Sequence, residues 1–261
     1  VISLRDVGKV FVRDDGTAVQ VLEHVSLEIA AGSFVCLVGR SGSGKSTILN
    51  MIAGLTEPSS GSIAFADGVT GWPRLDIGYM TQKETLLPWR DVLRNVAMPL
   101  EVRGVGKDAR ESRARELLRI VGLAGTEHRY PRELSGGMAR RASLARMLAS
   151  DPAMLLLDEP FGALDAQLRG DLQRELLTLW QGSGKTIVFV THDIDEALVL
   201  ADRIVVLQSG GAIAVDAPVT FPRPRDGRGV RYAPEFVALH DALLDALGGD
   251  PGAAREAAAL A

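Results

Sequence analysis

The chain has 261 residues, 46 % hydrophobic and 24 % charged, the balance of an ordinary globular α/β protein. A formal net charge of −4, from 29 basic and 33 acidic residues, excludes the basic footprint of a nucleic-acid binder. A single cysteine, Cys36, excludes a disulfide framework within the chain, and no apolar run approaches the roughly 20 residues that span a bilayer.

In chain order, the opening run VISLRDVGKVF alternates like a strand, not like a signal peptide. Strands are predicted at about 2–11 and 19–29, joined by a turn at Asp14-Asp15-Gly16. Residues 33–38 are apolar at successive positions, the pattern of a parallel strand buried on both faces. A glycine-rich stretch, 39–44, leads into a helix at 45–53, then a turn at 58–61 and a short strand at 62–66. Residues 86–150 carry Arg, Leu and Ala at helical spacing and predict a mainly helical lobe. A buried strand follows at 154–157, then a helix at 165–181, a strand at 186–190, a short helix at 193–200 and a strand at 203–208. This alternation implies a mainly parallel sheet with helices on both faces. The expected division is a domain over 1–215, with the lobe inserted, and a tail over 216–261 without a regulatory domain. In that tail Phe221-Pro222-Arg223-Pro224-Arg225 is expected to pack back on the core, a lipid-facing arginine patch being the alternative. The chain's end reads as an alanine-rich helix or a frayed end.

Gly39-Arg40-Ser41-Gly42-Ser43-Gly44-Lys45-Ser46 fits the phosphate-loop pattern G-x-x-x-x-G-K-[ST], with Thr47 just beyond. Phosphates need donors that come close without rearranging, and glycines allow that approach of the backbone. The helix that follows offers its positive end to the same anion. Lys45 is then expected at the β/γ-phosphates and the Ser46 hydroxyl on Mg²⁺. A second glycine-rich run, Gly182-Ser183-Gly184-Lys185-Thr186, is a decoy. Leu179 stands where its first glycine belongs and it leads into a strand, so it reads as a plain helix-to-strand turn. Asp158-Glu159 closes the apolar strand at 154–157, at the strand end where open α/β sheets bind ligands. Asp158 is expected to hold Mg²⁺ through water and Glu159 to orient the attacking water as general base.

With Leu134-Ser135-Gly136-Gly137-Met138, which looks like the signature LSGGQ, the chain resembles the ATP-binding cassette (ABC) transporter ATPases over nearly its whole length. Ser135 can N-cap a helix at 136–149 whose Gly136-Gly137 start forms a second anion site. The resemblance implies a P-loop NTPase core with an N-terminal antiparallel β subdomain and an inserted helical subdomain. It also implies that ATP and Mg²⁺ are the cofactors. Ser135, Gly136, Gly137 and Asp165, in the loop 161–165, would act in trans on ATP held by a second copy. Phe11 matches the aromatic that stacks on adenine, Gln82 the glutamine on Mg²⁺ that faces the membrane partner, and His192 the histidine on the γ-phosphate. His24, His128 and His240 receive no role.

Within the family, Leu86-Leu87-Pro88-Trp89-Arg90, Tyr130-Pro131-Arg132-Glu133 and Thr191-His192-Asp193-Ile194-Asp195-Glu196-Ala197 resemble importer ATPases for nitrate, sulfonates and taurine. That likeness implies transmembrane permease subunits, a periplasmic or extracytoplasmic substrate-binding protein, and a peripheral place on the cytoplasmic face of a bacterial inner membrane. The rival readings are a soluble cassette ATPase without a transport role and an exporter or lipid-transport ATPase. Two departures from the family pattern stand out: Tyr79-Met80-Thr81 before Gln82, and Ala139-Arg140-Arg141 in place of Arg-Gln-Arg. Neither removes a phosphate ligand.

Overall fold

A computed structural model of the chain describes residues 2–65, 74, 76–83, 85–162, 164–223, 225 and 230–248. They form two compact units, 1–74 with 183–261 and 75–182.

In the first unit β1 (Ile2–Val12) pairs antiparallel with β2 (Ala18–Ile29) and with β4 (Ser60–Phe65). Paired bulges interrupt β1 and β2 and put Asp6 (φ 51°) and His24 (φ 52°) in the left-handed region. The core strand is β3 (Phe34–Gly39), buried at every position as its unbroken apolar run predicts. β7 (Thr186–Thr191) and β8 (Arg203–Leu207) flank it in parallel register, and β9 (Ile213–Pro218) closes that edge antiparallel to β8. β9 runs across the expected 215/216 divide and was not predicted. Helix α1 (Lys45–Ile52) follows β3, and α6 (Ile194–Leu200) follows β7.

The described residues beyond β9 pack on this unit. Helix α7 (Pro234–Gly248) buries Phe236, Leu239, Leu243 and Ala246, and packs on α6, β8 and β9. Arg223 pairs with Asp202 at 2.7 Å and donates to the Leu200 carbonyl. Arg225, 3 % exposed, donates to the carbonyls of Leu198, Ala201, Val219 and Phe221. Burial, then repulsion from Arg223, lowers its pKa to about 10. These arginines are structural, so the lipid-patch alternative falls. The alanine-rich end lies outside the described residues.

The second unit holds the parallel pair β5 (Ile77–Met80) and β6 (Met154–Asp158). Its helices are α2 (Val92–Val102), α3 (Lys107–Ile120), α4 (Gly136–Leu148) and α5 (Ala166–Trp180). The first three pack on one another and bury Val92, Val96, Leu117, Leu118 and Leu144, which forms the helical lobe. The buried positions recur three and four apart, the spacing of a helix face. Among the described residues no helix is long and apolar enough to cross a membrane.

Candidate active site

The phosphate loop leaves β3 and enters α1 through Gly44, whose φ of 93° a side chain would strain. A Cβ at Gly39 would stand 2.5 Å from both the Leu207 carbonyl and Ser43 Oγ, so only glycine fits there. Lys45 is buried, and its Nζ donates to the carbonyls of Gly39 at 2.8 Å and Arg40 at 2.9 Å and to Ser43 Oγ at 3.3 Å. The ammonium therefore sits within the curl of its own loop, where hydrogen bonds offset the cost of burial. Ser46 and Thr47 are half-buried in the first turn of α1, while Arg40, Ser41 and Gly42 are exposed. That first turn carries no acidic side chain to neutralise the helix's positive end.

His192 leaves the sheet at the same strand end. Val38 of β3 pairs with Thr191 of β7, so Gly39 and His192 are the next residues of adjacent parallel strands. Thr191 Oγ1 accepts from Asp193 N at 3.0 Å, and Asp193 caps α6 by accepting from Glu196 N at 3.1 Å. The exposed His192 is held between these two fixed neighbours. Phe11, near the end of β1, is 42 % exposed and has Lys9 Nζ 4.9 Å from its ring centroid. It is a surface aromatic and not a core one, which the adenine role requires. The decoy at 182–186 forms a turn before β7, with Gly182 and Gly184 at positive φ.

The second unit carries the other candidates. Asp158 is the buried last residue of β6. Glu159 follows with φ 47°, an uncommon conformation for a residue with a side chain. Gln82 Nε2 donates to Glu159 Oε2 at 3.4 Å, joining two candidates 77 residues apart in sequence. Burial and the Asp158 carboxylate both push the Tyr79 phenol up, so it is neutral beside the acid pair. Ser135 caps α4, its Oγ accepting from Met138 N at 3.3 Å, and α4 too has no acid in its first turn. Gly136 is exposed at that helix start, and a Cβ on Gly137 would lie 3.3 Å from Leu164. Asp165 caps α5 by accepting from Leu168 N at 2.9 Å. Ala163, in the loop before it, lies outside the described residues. Arg140 was missed as a site residue, although the departure from Arg-Gln-Arg marked its position.

Residues 22–162 match the family model described as ABC transporter. The taurine import ATP-binding protein of Sinorhizobium fredii is 45 % identical over 234 residues, 88 % of each chain. The nitrate import ATP-binding protein of Synechococcus elongatus is 42 % identical over 250 residues, 94 % of this chain and 38 % of that protein. A solved dimeric ATP-binding cassette, in a post-hydrolysis state bound to ADP and Pi, superposes with a TM-score of 0.78 at 32 % identity. It covers 85 % of this chain and all of its own. The chain belongs to the ABC transporter family and is an ATP-binding cassette ATPase with a P-loop NTPase fold.

Proposed function

We propose that the chain is the ATP-hydrolysing subunit of an importer for a small anion or organic sulfonate, of the nitrate, sulfonate and taurine kind. Two copies work on transmembrane permease subunits at the cytoplasmic face of a bacterial inner membrane, fed by an extracytoplasmic substrate-binding protein. The taurine and nitrate import proteins among its relatives support this reading.

One observation carries the mechanism: among the described residues two helix starts, α1 and α4, are opened by glycine and free of acidic residues in the first turn. Each is an anion site. Lys45 and the loop 39–47 take the phosphates of one ATP, with Phe11 on its adenine. Ser135, Gly136 and Gly137 take the γ-phosphate of the ATP held by the other copy, and Asp165 meets that copy across the interface. Closure thus depends on the γ-phosphate, and hydrolysis loosens it, because ATP and ADP differ in affinity for the closed state.

The donor set suits Mg²⁺, a hard cation that takes oxygen ligands and keeps several waters. It comprises the Ser46 hydroxyl, the buried Asp158 carboxylate acting through water, and the Gln82 amide. With Gln82 Nε2 turned to Glu159, the acceptor Oε1 would be the end left for a cation. Bound Mg²⁺ supplies neutralisation of phosphate charge. Glu159 orients the water, Lys45 and His192 hold charge at the γ-phosphate, and Gln82 links the site to the membrane partner. Trp89, 71 % exposed, borders a groove of about 510 Å³ on the helical lobe and supports a docking role for the segment 82–90.

The test is the Glu159→Gln variant. It should bind ATP, fail to turn over and accumulate as a dimer in light scattering. If it stays monomeric with saturating ATP, the two-copy mechanism is wrong.

A further inference from the structure

Arg140 lies on the second turn of α4, five residues after Ser135, and is 4 % exposed. A guanidinium has five N–H donors in a rigid plane. Here Nε donates to the Pro160 carbonyl at 2.9 Å, Nη1 to those of Thr81 at 2.8 Å and Gln82 at 2.7 Å, and Nη2 to those of Asp158 at 2.7 Å and Glu159 at 2.6 Å. Five donors thus meet five main-chain carbonyls from two separate segments. One segment carries Gln82 and the other Glu159, and their side chains touch at 3.4 Å. The bonds at Asp158 and Glu159 bracket the backbone turn that puts Glu159 at φ 47°. Such a conformation costs on the order of 1–2 kcal/mol and persists only where its surroundings hold it.

We infer that Arg140 is a positioning residue for hydrolysis: it splints the Gln82 segment to the Glu159 turn, so that both side chains keep one fixed relation to the water and the γ-phosphate. The inference rests on the proposed roles of Glu159 and Gln82. A neutral amide has two N–H donors and an ammonium three, so neither glutamine nor lysine can serve all five carbonyls. Arg140 therefore also ties the helix that begins at Ser135 to the segment facing the permease. A displacement of 82–90 has a direct mechanical route to Glu159.

The experiment compares Arg140→Lys, Arg140→Gln, Glu159→Gln and the double variant Arg140→Gln/Glu159→Gln in full-length protein, measuring Mg²⁺-dependent phosphate release against ATP. Because misplacement of about 1 Å can cost about a hundredfold, kcat should fall about 10- to 100-fold in Arg140→Gln and less in Arg140→Lys. KM for ATP should stay within about twofold, since the phosphate loop is untouched. In the double variant the residual rate should match that of Glu159→Gln alone, because Arg140 acts through Glu159. If Arg140→Gln does not accumulate as a folded protein, Arg140→Lys carries the same kcat and KM test. Wild-type kcat in a folded Arg140 variant, or a loss confined to KM, overturns the inference. A fully active Glu159→Gln overturns instead the reading on which it rests.

Discussion

Val38 and Thr191 face each other across the β3–β7 ladder, which brings the phosphate loop and His192 off the sheet from neighbouring strands at one level. The placement depends on backbone register, so a side-chain change at 192 leaves it intact. His192→Ala should therefore keep its melting temperature and its ATP affinity while kcat falls about a hundredfold, the usual effect of removing one oriented charge-stabilising donor. Phosphate release under saturating ATP measures this. A variant that turns over as fast as the parent would remove His192 from the chemistry.

Lys45 anchors a different expectation. Its ammonium bonds the Gly39 and Arg40 carbonyls, so one side chain both shapes the loop and supplies its charge. Lys45→Ala should abolish Mg²⁺-dependent hydrolysis, and persistent activity would show that this loop is not the phosphate site. Gly39→Ala probes the loop's packing. Its methyl would meet the Leu207 carbonyl and Ser43 Oγ at 2.5 Å, and forcing such a contact costs about 1–3 kcal/mol. Thermal melting should register that loss, together with weaker nucleotide binding.

The sequence carried much of this architecture because its signals were local. β3, the phosphate loop, α4 and its Ser135 cap were legible from apolar runs, glycines and capping chemistry read within a few residues. β5 escaped because Ile77–Met80 is only four residues long and one of them is a glycine. β9 escaped because it carries Asp216 and ends on Pro218, residues that argue against a strand until an edge position excuses them. The helix α7 has a plain apolar face, yet the alanines beyond it drew the prediction toward the chain's end. Arg140 was opaque for another reason. A charged residue in a helix reads as solvent-facing, and its carbonyl partners, 18 to 59 residues away, have no residue type to announce them. The left-handed turn at Glu159 is equally silent in sequence, since glutamate is not a residue that favours it.

His24 and Asp6 give a pH signature outside the proposed catalytic set. The His24 Nδ1 to Asp6 Oδ1 contact is 2.6 Å, and that hydrogen bond, then the attraction of the Asp6 charge, raises the histidine above its ordinary 6.5. The folded pKa exceeds the unfolded one, so protonated His24 contributes stability that is fully present below about 6.5. That contribution disappears as pH rises through the higher folded value. Histidine ring resonances followed by NMR should titrate above 6.5, and Asp6→Asn should bring them back down. An unchanged midpoint in Asp6→Asn would show that the pair does not form.

Cys36 sits mid-strand in β3 with no exposed surface. Burial, reinforced by the Glu196 carboxylate, pushes its thiol well above the usual range. Reactivity follows the thiolate, so the folded protein should resist water-soluble disulfide reagents and react fully once unfolded in denaturant. Saturating ATP should slow any residual labelling further, because ligand binding to the folded state suppresses opening. Rapid labelling of the native protein would contradict the burial of β3.

The segment that presents Trp89 is fixed by one buried amide. Asn95 Nδ2 donates to the carbonyls of Leu87 at 3.1 Å, Arg90 at 2.9 Å and Asp91 at 3.0 Å, while its Oδ1 accepts from Leu87 N at 2.7 Å. Asn95→Ala leaves these groups without their partner and should cost about 2–4 kcal/mol. Asn95→Asp is nearly the same size but should be worse at neutral pH. Its carboxylate keeps the bond from Leu87 N yet turns negative charge toward carbonyl oxygens in a buried place. The folded state then favours the protonated acid, so its pKa rises above that of the unfolded chain. Stability of Asn95→Asp should accordingly increase as pH falls toward 5, whereas that of Asn95→Ala should not share the trend. Melting curves of the two variants from about pH 5 to 8 decide the matter, and parallel curves would mean that the amide does not hold the loop.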